Sequence, residues 1–265
     1  MNESLRHLNK IEFSVTTACT GRCIHCQNGA PDPHPTHLCA DAATQAIRQV
    51  AEHYRIKTVM TFGGEPLLFS ETVCAIHKTA AEAGIAKRQV ITNGFFSKDK
   101  DRIEAVANAL RFSGVNDLRL SVDAFHQETI PIEPVRLFAA AAKSAGIPLQ
   151  LQPAWLVSEK DDNPYNVRTR EILAAFQSLG IPTGKGNAIF PSGNARKYLG
   201  AYFPENAASS PYEEDPTDIR TLSIAANGDV LNGNLYQTDI LTLIRTYAPR
   251  RADGASDVRL TAREK

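Results

Sequence analysis

Three cysteines fall within one short stretch of this chain, Cys19-Thr20-Gly21-Arg22-Cys23-Ile24-His25-Cys26. The C-x3-C-x2-C spacing lets one loop fold its thiolates around a single centre, and thiolates are the ligands that iron–sulfur clusters select. Cubane clusters commonly take four cysteines, so three leave one iron open to a small chelating ligand. Gly21 supplies the backbone freedom that such a tight loop needs. The same residues admit a zinc site completed by His34, His37 or Cys39, although the spacing is not the paired C-x2-C of common zinc modules. A second segment, Gly63-Gly64-Glu65-Pro66, combines two glycines that permit close main-chain approach to a ligand with a carboxylate that can pair with an ammonium.

Such residues must be held by regular elements, and strand-like and helix-like segments alternate along the chain. Residues 11–16, 56–62, 88–92, 115–122, 148–155 and 183–190 read as strands. Residues 41–54, 70–83, 100–112, 134–145 and 167–179 read as helices, the first opened by Asp41 as N-cap, others stopped by Gly84, Gly146 and Gly180. The alternation predicts parallel βαβ units in an α/β fold, a partial (β/α)6 TIM-like barrel with a small C-terminal hairpin-plus-helix extension. In such barrels the chemistry sits on loops after the strand C-termini. The cysteines and Gly63-Gly64-Glu65-Pro66 fall there, as do Thr92-Asn93-Gly94, Ser121-Val122-Asp123 and Gln152. Asp123 and His126 follow the fourth strand, where they can orient substrate or move a proton, or serve as a helix cap and a surface histidine. The expected divisions are 1–195 for the barrel and 196–249 for the extension, whose hairpin is signalled by Asn227-Gly228 between residues 219–225 and 229–231. A helix is expected over 238–247. Residues 250–265 form a charged tail expected to be mobile.

Composition narrows the function classes. Lys plus Arg and Asp plus Glu both number 29 among 265 residues, so formal net charge is zero and charge signals neither nucleic acid nor an anionic membrane. Hydrophobic residues make up 43%, enough for a barrel core. Neither a signal-peptide h-region nor a membrane-spanning stretch is visible. Five cysteines, three of them clustered, fit metal-binding thiols in a reducing cytoplasm better than a disulfide framework.

Together the cysteine loop and Gly63-Gly64-Glu65-Pro66 resemble the signature of the radical S-adenosylmethionine (SAM) superfamily, C-x3-C-x-aromatic-C followed by GGEP. His25 stands at the aromatic position. The resemblance implies one [4Fe–4S] cluster on Cys19, Cys23 and Cys26, with SAM chelated at the open iron. It implies that Gly63, Gly64 and Glu65 hold the SAM amino group and that His25 lies near the adenine. Asn93, Ser121, Asp123 and Gln152 then become polar contacts to the rest of SAM. The implied reaction is reductive cleavage of SAM to a 5′-deoxyadenosyl radical, which abstracts hydrogen from substrate, with an electron donor such as flavodoxin or ferredoxin. Asp123, His126 and Cys39 are the catalytic candidates, Cys39 as a hydrogen-atom donor; Cys74, mid-helix among apolar residues, reads as an inert thiol.

Pro191-Ser192-Gly193-Asn194-Ala195 resembles the turn after strand six in SPASM-type members, which modify peptides and proteins. Residues 226–234 resemble the hairpin that opens a SPASM or twitch extension. No cysteine follows Cys74, so that extension holds no auxiliary cluster through cysteines. The expected substrate is a peptide or protein. A small molecule is the alternative, and a non-catalytic zinc or iron–sulfur adaptor is a third reading.

Overall fold

The computed structural model describes residues 2–205, 207, 210 and 212–249, so the charged tail lies outside the described residues. The first strand, β1 (Lys10–Ser14), shows why the sheet forms where it does. Ile11 and Phe13 are fully buried against the helices, whereas Lys10, Glu12 and Ser14 line an interior cavity. This period-two alternation repeats in the following strands. The chain runs through α1 (Ala40–His53), β2 (Thr58–Phe62), α2 (Ser70–Glu82), β3 (Lys87–Thr92), α3 (Lys100–Phe112) and β4 (Asp117–Leu120). It continues through a single turn α4 (Ala124–Gln127), α5 (Ile132–Ser144), β5 (Leu149–Leu151), β6 (Ala154–Trp155), α6 (Pro164–Ala174), β7 (Asn187–Ala188) and α7 (Gly193–Leu199). The last elements are β8 (Thr221–Ile224), β9 (Asp229–Val230), β10 (Gly233–Asn234) and α8 (Ile240–Thr246).

Six parallel strands pair in the order β5-β4-β3-β2-β1-β8. The helices cover the outer face with apolar stripes at helical spacing, such as Val135, Phe138, Ala139 and Ala142 of α5, all fully buried. This is the expected α/β partial barrel, with two local departures. The fifth strand is interrupted at Pro153, which has no N–H to donate. The expected sixth strand is correspondingly split into a Leu151–Thr183 bridge and the β6–β7 pair. The second departure is β8. It was expected only as one arm of a hairpin, yet it pairs parallel with β1, from Lys10 opposite Thr221 to Phe13 opposite Ile224. Leu222 and Ile224 face the core, and Ser223 Oγ donates to Glu12 at 2.6 Å on the cavity side. The Asn227-Gly228 turn does form: Gly228, at φ +86°, donates to Ala225 O, and Ala225 N–H donates to Asp229 O. The ladder it leads into is β9–β10. At α1, Cys39 takes the N-cap position and Asp41 lies inside the first turn, so the expected cap is displaced.

Candidate active site

The cysteine loop leaves the C-terminal end of β1 and is clamped from two sides. On one side, Gly64 N–H donates to Thr16 O and Glu65 N–H to Ala18 O, each at 2.7 Å. A Cβ on Gly64 would stand 2.0 Å from Ala18 O, and one on Gly63 (φ +146°) 2.6 Å from Thr16 O. These glycines permit a close approach to the main chain that leads into Cys19. On the other side stands Asn194. Its N–H donates to Cys26 O at 2.9 Å, and its Nδ2 donates to Cys23 O and Gly29 O, both at 3.1 Å. A Cβ on Gly193 (φ +50°) would meet Gln27 O at 2.3 Å. Sequence reasoning gave Asn194 no site role of its own; its signal was its place in the Pro191-Ser192-Gly193-Asn194-Ala195 turn.

Within the loop, Cys23 is buried, Cys26 half-buried and Cys19 exposed. Cys19 Sγ accepts from Gly21 N–H at 3.4 Å and from Asn93 Nδ2 at 3.7 Å. Desolvation pushes the Cys19 thiol up to about 11, with the charges of Glu65 and Cys26 adding to it. It pushes Cys23 higher still, with Asp123 as the next contributor. Both shifts favour the protonated thiols of Cys19 and Cys23 in the metal-free chain, so a metal centre binds them by displacing protons. Among the described residues, the one trio of candidate ligand atoms all within 4.8 Å of one another is His25, Asp123 and His126, not the cysteines. Nor do the other proposed zinc ligands converge, because His37 stacks on Phe69 at 4.4 Å and His34 is exposed.

Two fully buried carboxylates stand beside the loop. Glu65 Oε1 accepts from Leu67 N–H at 2.9 Å and Thr92 Oγ1 at 2.6 Å, and Oε2 accepts from Asn93 N–H at 2.8 Å. Burial lifts its pKa, the three hydrogen bonds pull it back, and the balance leaves it at about 7. Asp123 caps α4, accepting from His126 N–H and Ala154 N–H at 2.9 Å and from His126 Nδ1 at 2.8 Å. Burial would raise this group too, but the charge and hydrogen bonds of His126 outweigh it and hold the carboxyl at about 2. Burial lowers His126, and the Asp123 carboxylate more than compensates, so its net shift is upward. His25 packs edge-on to His126 at 4.8 Å and against Phe125 at 5.0 Å, and its Nδ1 is buried without a partner. Desolvation, then the neighbouring His126, drives it down to about 4, so it is neutral.

A cavity of about 1620 Å³ opens beside this cluster, and His25, Ser121, His126 and Gln152 line it. Asn93 is buried, its amide spent on Cys19 and Thr20. Cys39 is not brought to the cavity. An antiparallel Thr16–His37 bridge and the Leu38 N–H to Val15 O bond lay the end of the loop along the β1 extension, leaving Cys39 exposed at the start of α1. Cys74 lies on α2, half-buried and outside the cavity lining.

A family model of the radical SAM superfamily matches residues 13–150, more than half of the chain. The chain belongs to the radical SAM superfamily. Its cofactors are accordingly a [4Fe–4S] cluster and SAM. A GTP 3′,8-cyclase of Limosilactobacillus fermentum is 31% identical over 121 residues, 44% of this chain and 34% of that protein. One from Listeria monocytogenes is 29% identical over 95% of this chain and 76% of its own length. The chain thus spans about a third of the first curated relatives it matches. Among solved structures, Streptococcus suis SuiB bound to S-adenosylmethionine superposes with a TM-score of 0.57 at 13% identity, over 91% of this chain and 66% of SuiB. That likeness speaks to the fold.

The residues present fit the radical SAM cofactors. Three thiols lie on one doubly clamped loop, and the loop borders a cavity large enough for a nucleoside cofactor and a second molecule.

Proposed function

We propose that this chain is a radical SAM enzyme acting on a polar substrate held inside the barrel, and that the substrate is a small hydrogen-bonding molecule rather than a polyphosphate. When bound, the reduced cluster and SAM supply a 5′-deoxyadenosyl radical able to remove hydrogen from an unactivated carbon. Cys19, Cys23 and Cys26 hold the cluster, and Asn194 and Gly64 hold the loop. Glu65 uses three of roughly four carboxylate lone-pair positions internally, which leaves one for the SAM ammonium. His25, neutral and apolar in behaviour, shields the cluster side. His126, fixed through Nδ1 by Asp123, presents Nε2 as the atom that accepts or returns a proton near substrate. An external one-electron donor such as flavodoxin or ferredoxin completes the cycle.

The observation that carries the substrate reading is the inner wall of the cavity. Lys10 and Arg119 are the only lysine and arginine among its described lining residues. Lys10 is paired with Glu12 at 2.8 Å and Arg119 with Asp117 at 2.6 Å. A triphosphate would need basic groups free to meet it, so the cyclisation of GTP named for the relatives is not the activity proposed here. Gln89, Gln152 and Ser223 add hydrogen-bonding groups to a lining in which the carboxylates of Glu12, Asp32, Glu213, Glu214 and Asp229 outnumber the one lysine and one arginine. A peptide bearing a polar residue is the second reading, favoured by the cavity's size and by a rim that includes Gln27, Asn28, Asn232 and Asn234.

The test is anaerobic reconstitution, dithionite reduction and mass spectrometry for 5′-deoxyadenosine. We expect product that disappears in the Cys19, Cys23 and Cys26 to Ala triple variant. Deuterium passing from a labelled polar metabolite pool, but not from peptides, into 5′-deoxyadenosine would support the substrate class. One zinc and no iron after anaerobic purification would sink the enzyme reading in favour of an adaptor.

A further inference from the structure

At the end of the sheet opposite the cysteine loop, the chain forms a second pocket of about 500 Å³. It is walled by residues entering three neighbouring strands, Arg220 before β8, Asn9 before β1 and Lys57 before β2. Main-chain bonds fix these entries side by side. Asn9 N–H donates to Arg220 O at 3.0 Å, and Lys57 N–H donates to Asn9 O at 2.7 Å. Adjacent strands lie about 4.8 Å apart, so the Arg220 and Lys57 roots flank Asn9 at about twice that spacing. Arg6 comes from the N-terminal turn and Arg55 from the chain beyond α1, with His7 and His53 beside them.

Among the described residues, no carboxylate lines the pocket. Acids just outside it hold three of these side chains in place: Asp218 bonds Arg220 at 2.9 Å and His7 at 2.7 Å, and Glu3 pairs with Arg6. Arg55 and Lys57 have no ion-pair partner among the described residues. The chain as a whole is electroneutral, so this concentration of positive charge is local. The C-terminus of α1 attracts cations and accounts for His53 and Arg55. It does not account for Arg6, Lys57 or Arg220, which arrive from other elements.

We infer that this pocket binds a phosphate-bearing small molecule, gripped first by the unpaired Arg55 and Lys57 through charge-assisted hydrogen bonds, with Arg6 and Arg220 adding the guanidinium N–H groups that Glu3 and Asp218 leave unused. The site is separate from the SAM cavity and does not rest on the proposed reaction. Its volume falls within the range of small-molecule pockets.

Calorimetric titration of the full, cluster-loaded chain with pyrophosphate, ADP and adenosine tests it. Pyrophosphate and ADP should bind once per chain, more weakly as salt rises, while adenosine stays silent. ADP binding more tightly than pyrophosphate would assign a nucleotide, and equal affinities would assign the phosphate group alone. The double variant Arg55→Gln/Lys57→Gln should weaken binding by about tenfold or more, with iron content and SAM cleavage unchanged. Saturating SAM should not displace the ligand. No saturable binding below about 10 mM would overturn the inference. Binding undiminished in the double variant, or displaced by SAM, would do the same.

Discussion

Glu65 and Asp123 are both fully buried carboxylates at the C-terminal ends of neighbouring parts of the sheet, yet they titrate in opposite directions, to about 7 and about 2. Burial is the leading influence on both and pushes both upward. What separates them is a cation: Asp123 has His126 at 2.8 Å, whereas the close partners of Glu65 are neutral donors, two backbone N–H groups and a hydroxyl. Neutral donors only partly repay the desolvation of a carboxylate, and a charged partner can repay it in full. Asp123 therefore has a counter-charge in direct contact within the chain, and Glu65 has only neutral donors in direct contact. That difference supports Glu65 as the acceptor for an ammonium and Asp123 as a support for His126.

The largest expected effect is on stability. Asp123→Asn breaks a buried ion pair and should cost about 3–5 kcal/mol in urea denaturation at pH 5.5. Glu65→Gln at the same pH replaces a carboxyl that is already largely neutral and should cost about 1 kcal/mol. Equal losses would break the contrast. The pH dependence sharpens it. Glu65 holds its proton more tightly folded, near 7, than its ordinary value of 4.5. The ligand-free chain should therefore lose stability as pH climbs from 4.5 to 7, and Glu65→Gln should remove that decline. Asp123, held at about 2 against an ordinary 3.8, contributes above 3.8 and loses its contribution as pH falls through 2. His126, raised by the same pairing, contributes below its ordinary 6.5 and fades as pH rises past its folded value.

Ligand binding should show the next effect. If a SAM ammonium supplies the missing charge, SAM affinity of the cluster-loaded protein should rise as pH passes upward through about 7. Glu65→Gln should flatten that rise and weaken SAM by about tenfold, the worth of a charged hydrogen bond. Equilibrium dialysis at pH 6 and 8 decides this. An unchanged affinity in the variant would leave Glu65 as a fastener between β2 and β3 and nothing more.

Much of this was legible in the sequence because it is local. The C-x3-C-x2-C loop, the Gly-Gly-Glu-Pro segment and the alternating strands and helices are each written in consecutive residues, and the barrel followed from them. What was not legible depends on partners far apart in the chain. The β1–β8 pairing joins residues about two hundred positions apart, and a four-residue strand with plain alternation does not name its neighbour. Asn194 acts on Cys23, Cys26 and Gly29 only because the split sixth strand returns the chain to the loop. Cys39 read as a candidate from its loop composition, but composition does not tell which way a loop end turns.

The smaller effects test whether charge matters to the loop at all. Asn194 holds it with three neutral hydrogen bonds, each worth about 1 kcal/mol, and touches neither carboxylate. Asn194→Ala should leave the Glu65-linked pH dependence of SAM binding intact while cluster loss to a chelator quickens about three- to tenfold. A changed pH profile would mean that the loop, not the carboxylate, carries the proton linkage. Cys39→Ala should do less again. Its thiol caps nothing, its N–H rather than its sulfur meets Tyr236 Oη at 3.0 Å, and the residue lies outside the cavity lining. Iron content, SAM cleavage and substrate turnover should all stay within about twofold of wild type, a difference near the limit of what a free-energy argument resolves. Loss of turnover with intact SAM cleavage would instead restore Cys39 as the hydrogen-atom donor, and would require residues 27–39 to close over the cavity during the reaction.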